Sequence, residues 1–312
     1  MLADNPNEHL CSLLSRLEDI HRIAGRPYQA AAYKKTILSL KNMPALTINN
    51  ISDVTGGAIM KKKLREYLST GTISEVESLE SEYASYKELS KILGAGPATI
   101  SKWIADDIKT VAQLRLRVSK GYPLTTLQKI GLRYYYDLNM RIPRNNVQAI
   151  GAYIIAVVRS LGASCAEIVG SYRRGADTSG DIDIITSAEY SMTDLEKRLK
   201  QSPLFITTLY FGKERFSFLY CNDGIARSVD ILRLKKDQYA SGLLYFTGSW
   251  EFNAAMRGYA KKCGYTLNQQ GLFKKNRLIK ALTERDIFSK LGLKYIEPSD
   301  RTSPRAVIPL KK

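Results

Sequence analysis

Two carboxylates stand two residues apart in an apolar run near the middle of the chain, within residues 170–184, GSYRRGADTSGDIDI. In a strand, Asp181 and Asp183 would project from the same face, because side chains alternate between the two faces. A divalent cation between them would relieve their mutual repulsion, and Asp230 in the run SVDILRL could complete the site from a neighbouring strand. Ligands that are all oxygen suit Mg²⁺. The three aspartates therefore predict a magnesium site.

Residues suited to phosphate precede these aspartates. Gly170 and Ser171 are expected to open a turn, and Arg173 and Arg174 could each offer a guanidinium group to a triphosphate. An isolated Asp-x-Asp pair is most often structural, but a nearby Gly-Ser and a third strand aspartate make the pattern far more specific. Two cations roughly 3.5–4 Å apart could activate a hydroxyl and neutralise a leaving pyrophosphate. The combination indicates phosphoryl-transfer chemistry.

Two glycine-containing turns precede candidate helices in the first part of the chain. In ILGAGPATISKWI, Gly94 and Gly96 permit a tight turn whose amide groups end at a helix N-terminus, which suits a phosphate oxygen. A second copy, in DVTGGAIMKKKLREYL, has Gly57 but carries Thr55 in place of the first glycine. Both resemble the helix-hairpin-helix, which holds DNA by its backbone. An ordinary loop between helices explains such glycines equally well.

Helices and strands must position these residues, and the sequence separates the two kinds of element. Apolar residues recur at helical spacing over residues 10–20 after the start signal Asn5-Pro6, and further helices are predicted over residues 28–40, 60–68 and 147–161. Short β-rich runs follow: EIVG, DIDIIT, FITTLYF, RFSFLYC and SVDILRL. An apolar strand is expected at Tyr245 and Phe246. The pattern predicts a small helical domain, a helical connector and an α+β unit.

Composition limits the class of protein. With 312 residues, 44% hydrophobic content and a net charge of +17, the chain is a folded protein that favours a polyanionic partner. No apolar run approaches the ~20 residues needed to span a bilayer. The N-terminus lacks a secretory pattern and the four cysteines lack metal-site spacing, so an intracellular location (nucleus, virion or cytoplasm) is expected. Both histidines lie in a helical pattern, so histidine-based chemistry is not expected.

The segment GS-YRRG-A…SGDIDI resembles the nucleotidyltransferase signature of the family X DNA polymerases, and of DNA polymerase beta in particular. Other blocks occur in family order: ILGAGP, DDIKTVAQL, QKIGLRYYYDLNMRIPR, KKDQYASGLLYFTGSWEFNAAMRGYA and RDIFSKLGLKYIEPSDR. The resemblance implies an α+β fold, an N-terminal helical lyase-like domain with helix-hairpin-helix motifs followed by a polymerase unit with a nucleotidyltransferase-type palm. The implied domains are 1–82 (lyase-like, 8-kDa-type), 83–143 (helix-hairpin-helix, DNA-binding), 144–236 (palm, catalytic) and 237–312 (nucleotide selection).

The resemblance also implies roles for individual residues. The three aspartates would bind two Mg²⁺ ions, for which Mn²⁺ could substitute, and Asp230 would help to deprotonate the primer 3′-hydroxyl. Contacts with the triphosphate are implied for Arg141, Ser171, Arg174 and Gly180. A wall beside the sugar would be formed by Tyr245, Phe246 and Gly248, while Asn253 would meet the minor-groove edge of the new base pair and Arg257 the template strand.

The chain departs from the family pattern at two positions near this site. Ser228 replaces an arginine that lies beside the third aspartate in polymerase beta, and Trp250 replaces an aspartate beside the incoming base. An indole there could stack on that base, although a partly buried structural tryptophan is the alternative.

A lysine is the candidate for a second reaction. Aligning EYLSTG with the family places Lys63 at the lysine that forms a Schiff base with a 5′-deoxyribose phosphate, and AAYKK places Tyr33 in the same pocket. Lys61 and Lys62 would lower the pKa of Lys63 by charge repulsion and could hold the 5′-phosphate. Ile59 stands where the family has a lysine, so binding of the phosphate without lyase chemistry is an alternative, and a lysine run is most often a solvated helix face.

The function implied by the resemblance is template-directed repair synthesis in short gaps, with 5′-deoxyribose phosphate lyase activity, as in base excision repair. The implied partners are gapped or nicked double-stranded DNA and dNTPs, with the protein a monomer and no membrane involved; a monovalent cation at the helix-hairpin-helix is a further option. A template-independent terminal transferase is one alternative, opposed by the compact segment 205–230. A non-catalytic DNA-binding scaffold is another, opposed by the intact aspartates.

Overall fold

The structure, a computed structural model, describes residues 6–310, apart from the side chains of residues 81 and 82. Contacts divide the chain into two compact units, Met1–Tyr135 and Tyr136–Lys312. The first is helical and the second combines helices with sheets, so the predicted α+β class is confirmed. Among the residues described, no helix is long and apolar enough to cross a membrane.

The first unit consists of seven helices within its described part and one turn of 3₁₀ helix at Ile51–Asp53. The three helices expected first along the chain are present and extend beyond both ends of each predicted range; Asn5 of the start signal lies outside the described residues. Gly71 ends the third helix with a φ of 75°, in the left-handed region. The helices are α1 (Glu8–Ile23), α2 (Pro27–Lys41), α3 (Ala58–Thr70), α4 (Ser74–Leu89), α5 (Pro97–Ala105), α6 (Val111–Ser119) and α7 (Thr126–Arg133).

Two apolar clusters stabilise this unit. In the first, Leu14 and Leu17 of α1 pack with Leu40 of α2 and Leu64 of α3, all fully buried. The second surrounds Trp103 and is contributed by α4 to α7. Helical spacing of the leucines in α1 produces the buried stripe that the sequence predicts.

The second unit is built around a five-stranded sheet. Its strand order is β2-β4-β7-β6-β5, in which β4 and β7 are parallel and the other neighbours antiparallel. Each of the five β-rich runs in the sequence contributes one strand. They are β2 (Ala166–Ile168), β4 (Ile182–Ser187), β5 (Phe205–Phe211), β6 (Arg215–Asn222) and β7 (Ile225–Leu234), and a short pair, β1 (Ile142–Pro143) and β3 (Thr178–Ser179), lies outside this sheet.

Helices cover both faces of the sheet. Ile182 and Ile184 of β4 belong to a cluster with α9 and α11, whereas Ile185 packs with residues of α12 on the other face. Asp183 lies between Ile182 and Ile184, so alternation places it on the face of Ile185. The helices of this unit are α8 (Tyr135–Asn139), which begins at the last residue of the first unit, α9 (Arg144–Ser160), α10 (Gly170–Arg173), α11 (Met192–Lys200), α12 (Tyr239–Thr247), α13 (Trp250–Lys262) and α14 (Glu284–Lys290).

A three-stranded antiparallel sheet completes the second unit, with β8 (Tyr265–Asn268), β9 (Gly271–Lys274) and β10 (Arg277–Ile279). It packs with α12, α13 and α14 around Phe252 and Phe288. The strand expected at Tyr245 and Phe246 is wrong, because both residues lie in α12. Their run of nine residues, YASGLLYFT, buries one helical stripe that contains Ala240, Leu244 and Thr247.

Candidate active site

The three aspartates of the sequence pattern lie together in the structure. The register of the parallel strands β4 and β7 pairs Asp183 directly with Asp230, and Asp181 immediately precedes β4. One oxygen from each carboxylate lies within 4.8 Å of the others. Parallel pairing therefore brings together carboxylates that are almost fifty residues apart in sequence. Their role as metal ligands stays a prediction.

The electrostatics of this cluster favour a bound cation. Burial raises the pKa of Asp183 to about 7, and the charges of Asp181 and Asp230 add to the rise. Partial burial, followed by the charge of Asp230, also raises the pKa of Asp181, which is the most exposed of the three. Three carboxylates held this close and partly out of water are unfavourable without positive charge. A donor set that is all oxygen fits a divalent cation, and Asp181, Asp183 and Asp230 are the residues that could hold it.

A cationic partner of Asp230 was missed by sequence reasoning. Arg215 donates to Oδ1 of Asp230 from Nη2 at 2.8 Å and from Nε at 3.0 Å, and the hydroxyl of Ser217 donates to the same oxygen. Ser217 faces Asp230 across the antiparallel pair of β6 and β7. Arg215 on the adjacent strand thus supplies a guanidinium to Asp230, a contact that no short-range pattern in the sequence indicates.

The Gly-Ser pair abuts the aspartates. Gly170 has a φ of 61°, and a Cβ at this position would lie 2.9 Å from Oδ2 of Asp183. A side chain at position 170 would therefore displace the carboxylate. The hydroxyl of Ser171 donates to Oγ of Ser179 at 2.8 Å. The expected turn is a four-residue helix, α10.

Arg141 lies beside Gly180 because β1 pairs with β3. Its guanidinium donates to the Thr178 hydroxyl at 3.2 Å and to the Thr178 carbonyl at 2.6 Å. A Cβ at Gly180 would lie 3.3 Å from Nη1 of Arg141. Two residues assigned to the triphosphate are thus neighbours, although nearly forty residues separate them in sequence.

The two adjacent arginines of the signature have different surroundings. The guanidinium of Arg173 donates to both oxygens of the buried Glu284 carboxylate, from Nη2 at 2.8 Å and from Nη1 at 3.1 Å. Nη1 also donates to the Thr247 hydroxyl at 2.7 Å. The prediction that Arg173 binds a triphosphate is therefore wrong, because the N–H donors of its guanidinium are engaged inside the protein. Arg174 donates from Nη1 to the Thr247 carbonyl at 2.6 Å, and its assignment to the triphosphate stays a prediction.

The residues assigned to the sugar and base lie on α12 and α13. Tyr245 and Phe246 form an edge-to-face pair with centroids 5.1 Å apart, and Nδ2 of Asn253 donates to the Tyr245 carbonyl at 2.7 Å. Tyr245, Asn253 and Arg257 line the same small cavity. Gly248 has a φ of 70°, and a Cβ there would lie 3.1 Å from Nη1 of Arg174. The structure therefore groups these residues, while their substrate contacts stay predictions.

Three protein-family models match successive parts of the chain. The fingers domain of DNA polymerase lambda matches residues 87–139, the DNA polymerase beta palm residues 141–218, and the DNA polymerase beta thumb residues 242–302. Together these matches cover more than half of the chain. The chain belongs to family X of the DNA polymerases. Asp230 and Lys63 lie outside the matched ranges, so their assignments rest on the contacts seen in the structure.

Curated relatives include the DNA polymerases lambda of Arabidopsis thaliana and Rattus norvegicus, which are 27% and 28% identical to the chain over 334 and 331 residues. The alignments cover 95% and 96% of this chain, but 62% and 57% of the two relatives. The chain therefore spans about six-tenths of the length of the relatives that it matches.

Trp250 is the first residue of α13 and is 73% exposed. Such exposure does not fit the alternative of a partly buried structural tryptophan. An exposed indole at the start of a helix offers a flat apolar face on which any nucleobase can stack.

We expect Trp250→Ala to raise KM for all four dNTPs by about tenfold or more. Stacking of an aromatic ring on a base contributes about 1–3 kcal/mol, and each ~1.4 kcal/mol is a factor of ten. Trp250→Phe, which keeps a ring, should recover most of the affinity. Steady-state kinetics on gapped DNA would contradict stacking if KM for the alanine variant equalled that of the wild type.

The two glycine turns of the sequence have similar geometry. Gly57 and Gly96 are the N-cap residues of α3 and α5, with extended backbones (φ −75°, ψ −179° and φ −85°, ψ 170°). A Cβ at either position would meet nothing within 4 Å. Gly94, in the loop before α5, has a φ of 82°. The likeness of the two N-caps supports two related hairpins, and their contacts with DNA stay predictions.

Lys63 lies in a cavity of about 500 Å³ formed by the first four helices. Its ammonium donates to the Tyr33 hydroxyl at 2.7 Å and forms an ion pair with Glu75. His21 also lines this cavity, 3.6 Å from Glu75 between Nε2 and Oε1. The grouping of Lys63 with Tyr33 agrees with the placement made from sequence, whereas His21 and Glu75 were missed.

The expectation that Lys61 and Lys62 lower the pKa of Lys63 is wrong. Burial lowers the pKa of Lys63, but hydrogen bonds with Glu75 and Tyr33 outweigh burial, and the pKa is raised. Lys61 donates instead to the Ser52 carbonyl at 3.0 Å. The lysine in the cavity is therefore an ammonium held by a carboxylate.

Proposed function

We propose that this family X member is a template-directed DNA polymerase that fills short gaps by transferring nucleotides from dNTPs. The observation that carries the proposal is the carboxylate cluster of Asp181, Asp183 and Asp230, whose oxygens lie within 4.8 Å of one another beside the Gly-Ser helix α10. The curated relatives are DNA polymerases lambda, which supports the same activity.

Mg²⁺, for which Mn²⁺ could substitute, is the cation that we assign to this cluster. Bound as a pair, such ions would neutralise negative charge on the attacking 3′-oxygen of the primer and on the leaving pyrophosphate. Asp230 is the carboxylate that takes the proton of the primer 3′-hydroxyl. Since Arg215 and Ser217 both donate to Oδ1 of Asp230, we assign this proton to Oδ2.

Phosphate and sugar are assigned to residues around the cluster. Arg141, Arg174, Ser171 and Gly180 bind the triphosphate, because guanidinium and hydroxyl groups donate to phosphate oxygens. Tyr245, Phe246 and Gly248 form the wall that excludes a ribose 2′-hydroxyl. Asn253 and Arg257 contact the new base pair and the template strand through the minor groove.

DNA is the proposed partner, and the protein acts as a monomer. A net charge of +17 supports contact with a polyanion, and the hairpins ending at Gly57 and Gly96 are assigned to the backbone of gapped or nicked DNA, where a monovalent cation could assist. We assign residues 1–82 to a lyase-like domain, 83–143 to DNA binding, 144–236 to the palm and 237–312 to nucleotide selection.

A 5′-deoxyribose phosphate lyase is the second proposed activity, with Lys63 as the nucleophile. We expect borohydride to trap the wild type covalently on incised abasic DNA, because it reduces the imine between an amine and the sugar aldehyde. Lys63→Ala should lose most of this adduct. An undiminished adduct in the variant would assign the nucleophile to another lysine, and Lys41→Ala, the same change at an exposed lysine at the end of α2, is the matched control.

The substrate preference of the polymerase tests the main proposal. Extension should be fastest on a one-nucleotide gap with a 5′-phosphate, slower with a 5′-hydroxyl, and minimal on a single-stranded primer. Equal extension of the single-stranded primer would instead favour a terminal transferase, and no extension on any substrate a scaffold. Strands β6 and β7 are joined by the two-residue turn Asp223-Gly224, so the described segment 205–230 has no long loop of the kind expected in a terminal transferase.

A further inference from the structure

Four helices of the first unit each bring one polar side chain to the Lys63 cavity. His21 comes from α1, Tyr33 from α2, Lys63 from α3 and Glu75 from α4. The side chain of Lys63 is 14% exposed and that of Glu75 31%. The ion pair of Lys63 and Glu75 is thus largely shielded from bulk water by the protein, but it borders an open cavity.

Glu75 is the acidic partner of this group. Its Oε2 pairs with Nζ of Lys63, and its Oε1 accepts from the Tyr33 hydroxyl at 3.4 Å. Burial lowers the pKa of His21 despite the charge of Glu75, and Arg26 lowers it further, so the imidazole is neutral at neutral pH. Its Nδ1 is buried without a hydrogen-bond partner among the described residues. No ammonium besides that of Lys63 is in contact with this carboxylate in the part of the chain described.

The ion pair raises a problem for Schiff-base chemistry. Only a neutral amine attacks an aldehyde, whereas the contacts with Glu75 and Tyr33 keep Lys63 protonated. A proton must therefore leave Nζ before the reaction begins. The carboxylate oxygen in contact with Nζ is the acceptor at hand, and a general base must lie within hydrogen-bond reach of its proton.

We propose that Glu75 is the acid–base residue of the Lys63 site, taking and returning the protons of the lyase reaction. This proposal rests on the lyase activity proposed above. It assigns a catalytic role to a side chain that lies in contact with the nucleophile and outside every matched family model.

One carboxylate, that of Glu75, is enough for the proton transfers of the lyase reaction. Nζ gives a proton to Glu75, and its lone pair forms a bond to C1′ of the open-chain aldehyde. Proton transfer from nitrogen to oxygen gives a carbinolamine, whose hydroxyl takes the proton of Glu75 and leaves as water, so that a protonated imine remains. The carboxylate then removes a proton from C2′, the C–H electron pair enters the conjugated system, and the C3′–O bond breaks to release the 5′-phosphorylated DNA end. Water hydrolyses the imine, and the C2′ proton is released to solvent.

The test is single-turnover cleavage of incised abasic DNA by the full chain, with borohydride trapping in parallel. Glu75→Gln keeps the size and an acceptor oxygen but removes the base, and should slow cleavage about 10²–10⁴-fold, the usual contribution of general acid–base catalysis. Glu75→Asp, which retains a carboxylate, should be faster than Glu75→Gln. Glu77→Gln makes the same chemical change at an exposed site on α4 and should match the wild type. Equal midpoints of thermal unfolding would show that the variants are folded.

The outcomes separate the inference from the proposed function. If the wild type forms no borohydride adduct, both the lyase and the role of Glu75 are wrong. If Lys63→Ala loses the adduct while Glu75→Gln cleaves at the wild-type rate, the lyase stands and the role of Glu75 is wrong. Faster cleavage by Glu75→Gln would show that the carboxylate restrains Lys63, which also overturns the inference.

Discussion

Nucleotide incorporation should fall by roughly a thousandfold or more in Asp183→Ala and in Asp230→Ala, with the affinity for gapped DNA nearly unchanged. Asp183 and Asp230 lie side by side across parallel strands, and their oxygens belong to the cluster that fits a divalent cation. Charge stabilisation by bound metal is worth several kcal/mol, and each ~1.4 kcal/mol is tenfold in rate. DNA affinity rests on phosphate contacts elsewhere, so it should persist.

Primer extension and a gel-shift titration on the same gapped DNA measure the two properties separately. Asp237→Ala, a change at an exposed aspartate between β7 and α12, is the control and should retain wild-type incorporation. Near-wild-type incorporation by either cluster variant with Mg²⁺ would show that the metal site lies elsewhere. Loss of DNA binding together with incorporation would point instead to damage of the fold.

Glu284→Gln should lower the free energy of unfolding of the protein by about 3–5 kcal/mol, the range expected when one partner of a buried ion pair is removed. Glu284 is 5% exposed and accepts from Arg173 and from Arg301, which is fully buried among aromatic rings. Without the carboxylate, the guanidinium of Arg301 remains buried without its countercharge. The midpoint of urea unfolding reports the change.

A surface pair provides the matched control for this prediction. Glu297→Gln removes the exposed partner of Arg285 and should cost about 0–1 kcal/mol. Equal midpoints for Glu284→Gln and Glu297→Gln would contradict a stabilising role for the buried network.

The same network predicts the direction of a pH effect. Burial raises the pKa of Glu284, but hydrogen bonds with Arg173 and Arg301 outweigh burial and leave the pKa lowered. The stabilisation is therefore fully present above the pKa of the unfolded carboxyl, ordinarily about 4.3, and is lost as the pH falls through the lowered value of the folded state. The difference in stability between wild type and Glu284→Gln should shrink over that acidic range and stay constant from pH 6 to 7, about two units above the ordinary value.

The sequence predicted the parts of the site that depend on local pattern. Asp181 and Asp183 could be identified because an Asp-x-Asp pair in an apolar run follows Gly-Ser at short range, and the strand containing Asp230 has its own β-rich signature. The secondary structure of the apolar run around Tyr245 could not be predicted in this way, because a short apolar segment fits a buried helix as well as a strand.

Contacts between distant residues account for the rest. Arg173 and Arg174 are adjacent and chemically equivalent in sequence, yet Arg173 is engaged by Glu284, 111 residues away. Arg215 meets Asp230 because antiparallel pairing of β6 and β7 brings their side chains together. Likewise, Glu75 and His21 meet Lys63 because four helices converge on one core. None of these partners follows from spacing along the chain.

Single-turnover incorporation of one dNTP into a one-nucleotide gap, with and without Mg²⁺, tests the central claim most directly. The aspartate cluster predicts rapid addition of the nucleotide complementary to the template when Mg²⁺ is present, and no addition when a chelator removes it. Addition that continues in the chelator, or that ignores the template base, would contradict a metal-dependent, template-directed polymerase site at Asp181, Asp183 and Asp230.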